Sequence, residues 1–132
     1  MVSTQLREVT IGNNLTIRFI DRSRHYYGGF FQAAVEAVCD IPVTPEYIQA
    51  PAEHEQAISL LGQTAHFSKV LDRMGVLATD LEKTREQLID EFLKTAAPYL
   101  AMEDFPSRFI LSEINKQLRR KVRTPGITGK HA

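Results

Sequence analysis

The sequence predicts an α+β fold: a small antiparallel sheet of three to four strands from the front of the chain, with two C-terminal helices packed on one face. Three observations carry this. Apolar and polar residues alternate with a period of two in the first third, as in strands with one buried face. After residue 79 the apolar residues recur at helical spacings instead. Strands come first and helices last, which separates them into layers rather than interleaving them in a parallel sheet.

The first strand, about 8–12, rests on Val9 and Ile11 flanking Thr10. Gly12-Asn13-Asn14 then supplies residues that tolerate left-handed backbone angles, as a tight hairpin requires. Leu15, Ile17 and Phe19 alternate with Thr16 and Arg18 and set a second strand over 15–21. Asp21-Arg22-Ser23-Arg24 breaks the pattern and reads as a loop, and Gly28-Gly29 marks a bend. The third strand, about 30–41, places Phe31, Ala33, Val35, Ala37, Cys39 and Ile41 on one face and Gln32, Glu36 and Asp40 on the other. The stretch Ala33–Val38 also suits a helix, but the flanking Gly28-Gly29 and Pro42 and the even spacing of its polar residues favour a strand.

Prolines between Pro42 and Pro51 make a connector. A short helix near 52–61 ends at Gly62, and a weaker strand covers 65–72 before Gly75. Thr79 with Glu82 three residues on forms a capping box that opens a helix over about 79–98. Its stripe is Leu81, Leu88, Ile89, Phe92, Leu93, Ala96 and Leu100, and Pro98 ends or kinks it. A last helix, about 106–122, opens at Pro106, and its apolar stripe is Phe109, Ile110, Ile114 and Leu118, with Val122 in line at its end. Thr124-Pro125-Gly126 stops it. The expected organisation is one domain over 1–123 and a flexible tail over 124–132.

Charge sums to zero, 16 basic against 16 acidic residues, but it is polarised. Residues 1–78 carry 6 basic and 8 acidic groups, 79–105 carry 3 and 7, and 106–132 carry 7 and 1. One cysteine, Cys39, excludes an intrachain disulfide and fits a reducing compartment. The N-terminus lacks the basic-then-apolar pattern of a signal peptide, and no run of apolar residues is long enough to span a membrane. The expectation is a cytoplasmic protein.

No spacing of a catalytic or metal site is met, so no catalytic residue, metal or cofactor is assigned. His54 has no second histidine four residues away, and His25, His66 and His131 are isolated. Gly28-Gly29 matches neither the P-loop nor the dinucleotide fingerprint. Glu82, Glu86, Asp90 and Glu91 read as a solvated helix face beside Lys83, Arg85 and Lys94. Cys39 alternates with the apolar face and reads as core.

Two segments stand out as binding candidates. Arg22, Arg24, His25, Tyr26 and Tyr27 lie next to Phe30 and Phe31. Arginine forks and tyrosine faces suit an anion, a base or a protein partner. Arg119, Arg120, Lys121 and Arg123 form the core of the basic end. Phosphates attract such a cluster, yet a helix C-terminus favours cations on its own. Asp21-x-Ser23 followed by Gly28 resembles the Asp-x-Ser-x-x-Gly element of PilZ domains. The glycine comes two residues late and no upstream arginine pair fits, so nothing of that family is carried over.

The favoured expectation is a non-catalytic protein that acts through protein contacts and forms a homodimer, because a sheet of so few strands has edges to manage. A nucleic-acid-binding module using the basic helix ranks second. A small-ligand binder or enzyme with a pocket between sheet and helices ranks third, its candidate lining groups being Arg24, His25, Tyr27 and His66.

Overall fold

The computed structural model describes residues 4–48 and 50–129, with side chains to residue 120. It is a mixed α+β fold: among the described residues, a five-stranded antiparallel sheet and four helices. The strands are β1 (Gln5–Thr10), β2 (Thr16–Asp21), β3 (Arg24–Tyr27), β4 (Phe30–Pro42) and β5 (Thr64–Leu77). The helices are α1 (Pro51–Leu61), α2 (Leu81–Thr95), α3 (Ala97–Leu100) and α4 (Phe105–Gly129).

β1 and β2 form a hairpin whose turn uses Asn14 at φ 68°, the left-handed angle expected there. β2 pairs with β4 from Ile17 opposite Cys39 to Asp21 opposite Val35, and β3 continues along the same edge of β4 from Arg24 opposite Gln32. β5 pairs with β4 on its other side. The pleat then sorts the residues. Ile17, Phe19, Ala33, Val35, Ala37, Cys39 and Ile41 are all buried, and Arg18, Glu36 and Asp40 turn to the opposite, outer face.

Five features depart from the sequence pattern. The segment read as a loop after Asp21 contains a fifth strand, β3, because Ser23 substitutes its side chain for backbone pairing. Its Oγ accepts from Ala34 N at 3.0 Å and donates to Ala34 O at 3.3 Å, so the ladder resumes after a short irregularity. β5 runs past residue 72 to Leu77, since Gly75 takes φ 71° within the strand instead of ending it. The capping box is not formed: Ala78–Asp80 is a 3-10 turn, and Asp80, the N-cap of α2, makes no side-chain cap bond. The helix expected over 79–98 is divided at Ala96, with Pro98 in the first turn of α3. The backbone of α4 is helical to Gly129, past the expected stop at Thr124-Pro125-Gly126.

The chain packs as two compact units. One holds the described residues up to Asp40 with His66–Glu103; the other holds Ile41–Ala65 with the described residues from Asp104. In the first, α2 buries Leu88, Ile89 and Phe92, and the Phe92 ring meets Phe19 edge to face at 5.7 Å. The β1–β2 turn is tied to the end of α3: Asn13 Nδ2 donates to Leu100 O at 2.7 Å. A carbonyl left over at a helix end is thereby satisfied. In the second unit, α1 and α4 pack together, Ile110 and Ile114 are buried, and Phe105 stacks on Phe109 at 5.7 Å. Ser107 Oγ donates to Tyr47 O at 2.9 Å and fixes the start of α4 against the connector before α1.

Candidate interaction surface

The outer face of the sheet in the first unit is built from three polar rows, which start on β2, on the link after it and on β3 and each cross β4 to β5. In the first, Arg18 Nη2 lies 3.3 Å from Asp40 Oδ2, and Asp40 Oδ1 lies 2.7 Å from His66 Nδ1. In the second, Arg22 Nη2 lies 2.7 Å from Glu36 Oε1, and Ser68 Oγ donates to Glu36 Oε2. In the third, Arg24 Nε donates to Gln32 Oε1 at 2.7 Å, and Gln32 Nε2 donates to Asp72 Oδ2 at 2.8 Å. Strand spacing produces this: residues two apart on one strand share a face, so Gln32, Glu36 and Asp40 meet partners on both neighbours.

The consequence is a face whose charges are matched to one another. The Ser68 hydroxyl and the Arg22 guanidinium both favour the ionised carboxylate and hold Glu36 below the usual carboxylate range. On the opposite face, burial pushes the Cys39 thiol up to about 11, aided by the neighbouring Asp40 carboxylate. Burial among apolar neighbours is the physical reverse of what activates a nucleophilic cysteine.

Large apolar side chains lie open beside the polar rows. On the β3–β4 hairpin Tyr26, Tyr27 and Phe30 are exposed, and Gly28 at φ 55° turns the chain. On β5 Val70, Met74 and Leu77 are exposed. The contacts Ser68–Glu36, Asp72–Gln32 and His66–Asp40 run in antiparallel order along β4 and β5. The hairpin group and the β5 group lie on strands that both pair with β4.

The five hairpin candidates thus lie close along one stretch, Arg22 in the link after β2 and Arg24, His25, Tyr26 and Tyr27 on β3. Arg22 and Arg24 are engaged with Glu36 and Gln32. His25 contacts the Gly28 carbonyl and sets its ring edge-on to Phe31 at 5.3 Å. Tyr26 and Tyr27 reach solvent. Arg119 and Arg120 are exposed on α4, in the other unit. The side chains of Lys121 and Arg123 lie outside the described residues.

Sequence reading missed Ser68 and Asp72 on β5 and the open Val70 and Met74, and it singled out His66 for a pocket rather than as a partner of Asp40. Alternation on that strand marks which residues share a face, but only pairing with β4 brings them to Glu36, Asp40 and Gln32. Of the groups considered for a pocket, Arg24, His25 and Tyr27 stand exposed on β3 and His66 on β5. A cavity of about 150 Å³ does exist in the first unit, lined by Leu6, Arg7, Glu82, Arg85, Glu86 and Ile89. Its arginines are turned to Asp90 and Asp21. Among the described residues no group of three or more His, Cys, Asp or Glu side chains is arranged to hold a metal, and no helix is long and apolar enough to cross a membrane. In comparisons with known proteins, no family model, no curated protein and no solved structure matches this chain.

Proposed function

We propose that this chain acts through protein–protein contacts in the cytoplasm, without catalysing a reaction, and that it self-associates. The observation that carries the reading is the exposure of six large apolar side chains, Tyr26, Tyr27, Phe30, Val70, Met74 and Leu77, on β3, β4 and β5 of one sheet. Large apolar side chains left open on a sheet are what a protein contact would cover. The polar face beside them supports the same reading, since Arg18 and Arg22 are paired with the carboxylates of Asp40 and Glu36, and Arg24 shares its row with Asp72, which leaves little excess charge for a polyanion. The buried thiol of Cys39 suits a reducing compartment.

Light scattering coupled to size exclusion, over a range of concentrations, tests self-association. The expected result is a mass above the 14.9 kDa of one chain that rises with concentration. A mass fixed at one chain throughout defeats it.

A nucleic-acid role is the second reading, favoured by exposed Arg119 and Arg120 on α4. A gel-shift series across salt decides it. Binding that weakens steeply with salt, and is lost in Arg119→Glu with Arg120→Glu, would replace the first reading. Absence of binding at low ionic strength removes the second.

A further inference from the structure

We infer that the free edge of β5 pairs antiparallel with the same edge of a second copy, with Val70 meeting the second copy's Val70 on the two-fold axis. The inference rests on the self-association proposed above and gives it a geometry.

The open edges of the sheet are unequal: β3 is 4 residues long and offers only a short one. β1 is 6 residues long, is irregular between Gln5 and Arg7, and turns Arg7 toward Asp90 of α2 at 3.1 Å. Shortness, irregularity and charge all blunt an edge. β5 is 14 residues long, contains no proline and exposes Val70 and Met74. Among the described residues, no other strand pairs with its second edge. An open row of backbone donors and acceptors of that length is a template for another strand.

Symmetry restricts the register. Two identical edges can face each other across a two-fold axis only if the axis stands perpendicular to the sheet. The strands are then antiparallel and the outer faces stay on the same side. Directly opposed residues in such a pair share a face, so even-numbered positions meet even-numbered ones and the axis passes through one residue position.

Three positions near the middle of β5 allow long pairing. An axis at residue 69 sets Lys69 against the second copy's Lys69, and an axis at residue 71 sets Lys69 against the second copy's Arg73. Like charges directly opposed are destabilising. An axis at Val70 sets valine on valine, Ser68 opposite the second copy's Asp72, His66 opposite Met74 and Lys69 opposite Leu71. It opposes no like charges directly, covers the exposed Val70 and sets Met74 against a cross-strand neighbour. Axes nearer either end of the strand shorten the pairing.

A cysteine scan of the full chain reads the register. Lys69→Cys, Val70→Cys and Leu71→Cys are oxidised with copper phenanthroline and resolved without reductant, the native chain with its buried Cys39 serving as control. A residue on the axis brings two Cβ atoms within about 4.5–5.5 Å, close to disulfide reach. Val70→Cys should therefore form the disulfide dimer and the other two should not. Val70→Lys sets two ammonium groups on the axis and should reduce the mass to one chain with an unchanged circular dichroism spectrum. Bridging at 69 or 71 in place of 70 overturns the inference. So does a dimer bridged at none of the three, or a Val70→Lys chain that folds and still dimerises. In those cases self-association stands and only its geometry falls, whereas a native chain of single mass removes both.

Discussion

Phe92 of α2 sets its ring edge-on to Phe19 of β2, with centroids 5.7 Å apart and planes at 81°. Both rings are buried, Phe19 completely. This pair joins the helix to the inner face of the sheet and adds a favourable aromatic geometry to the area it buries. Truncation, Phe92→Ala, removes that contact and leaves a cavity, and should lower stability by about 3–5 kcal/mol. Urea unfolding followed by circular dichroism checks it; a loss below about 1 kcal/mol would mean that the surrounding residues collapse into the space.

The carboxylate of Glu36 should give the outer face a pH dependence. Ser68 first and Arg22 second hold it below the ordinary carboxylate value of 4.5. A depressed carboxylate contributes stability that is present above its unfolded pKa and is lost as pH falls through the folded one. Glu36→Gln should therefore flatten the acid limb of the stability curve below about pH 4.5. At neutral pH, with Arg22 partly exposed, the pair is worth only about 0.5–1 kcal/mol. Unfolding curves collected between acid and neutral pH measure both effects.

Cys39 should resist thiol reagents in the folded chain. With its thiol pushed up to about 11, the thiolate fraction at mildly alkaline pH is small, and the group is buried. Ellman's reagent should react slowly with the native protein and at once in denaturant. The linkage has the opposite sign to that of Glu36. The folded state retains a proton that the unfolded chain releases near 9, so stability should fall as pH rises from 9 toward 11.

Ser23→Ala should loosen the hairpin selectively. The hydroxyl satisfies both backbone groups of Ala34 at the point where β2 gives way to β3. Removing it leaves a part-buried donor short of its partner, a loss of about 1–3 kcal/mol. Amide exchange over Arg24–Tyr27 should accelerate more than exchange over Thr16–Asp21; equal acceleration in both would show that Ser23 supports the sheet as a whole.

Much of this architecture was legible in the residue pattern, and the failures share a cause. The alternation from Leu15 to Phe19 and from Phe31 to Ile41 follows from burial of one face, so both strands fall where they were expected. The stripe through Leu88, Ile89 and Phe92 follows from the same principle at helical spacing. What the pattern hides is compensation across the chain. Ser23 looks like a loop residue until Ala34 lies opposite it, and Gly75 looks like a stop until its neighbours are held in a sheet. The polar rows are hidden likewise: Glu36 and Asp40 were visible as one face of a strand, but Ser68 and His66 reach them only through pairing of β4 with β5, more than two dozen residues apart.

The hydrogen bond from Asn13 to the Leu100 carbonyl spans 87 positions. During synthesis the N-terminal hairpin leaves the ribosome long before its partner exists, so it must wait with that amide in water until α3 emerges. A nascent chain halted before Leu100 should hold the first hairpin only loosely, and one released beyond Met102, whose carbonyl also receives Asn13, should clamp it. The opening turn of the polypeptide thus acts as a latch closed late in translation.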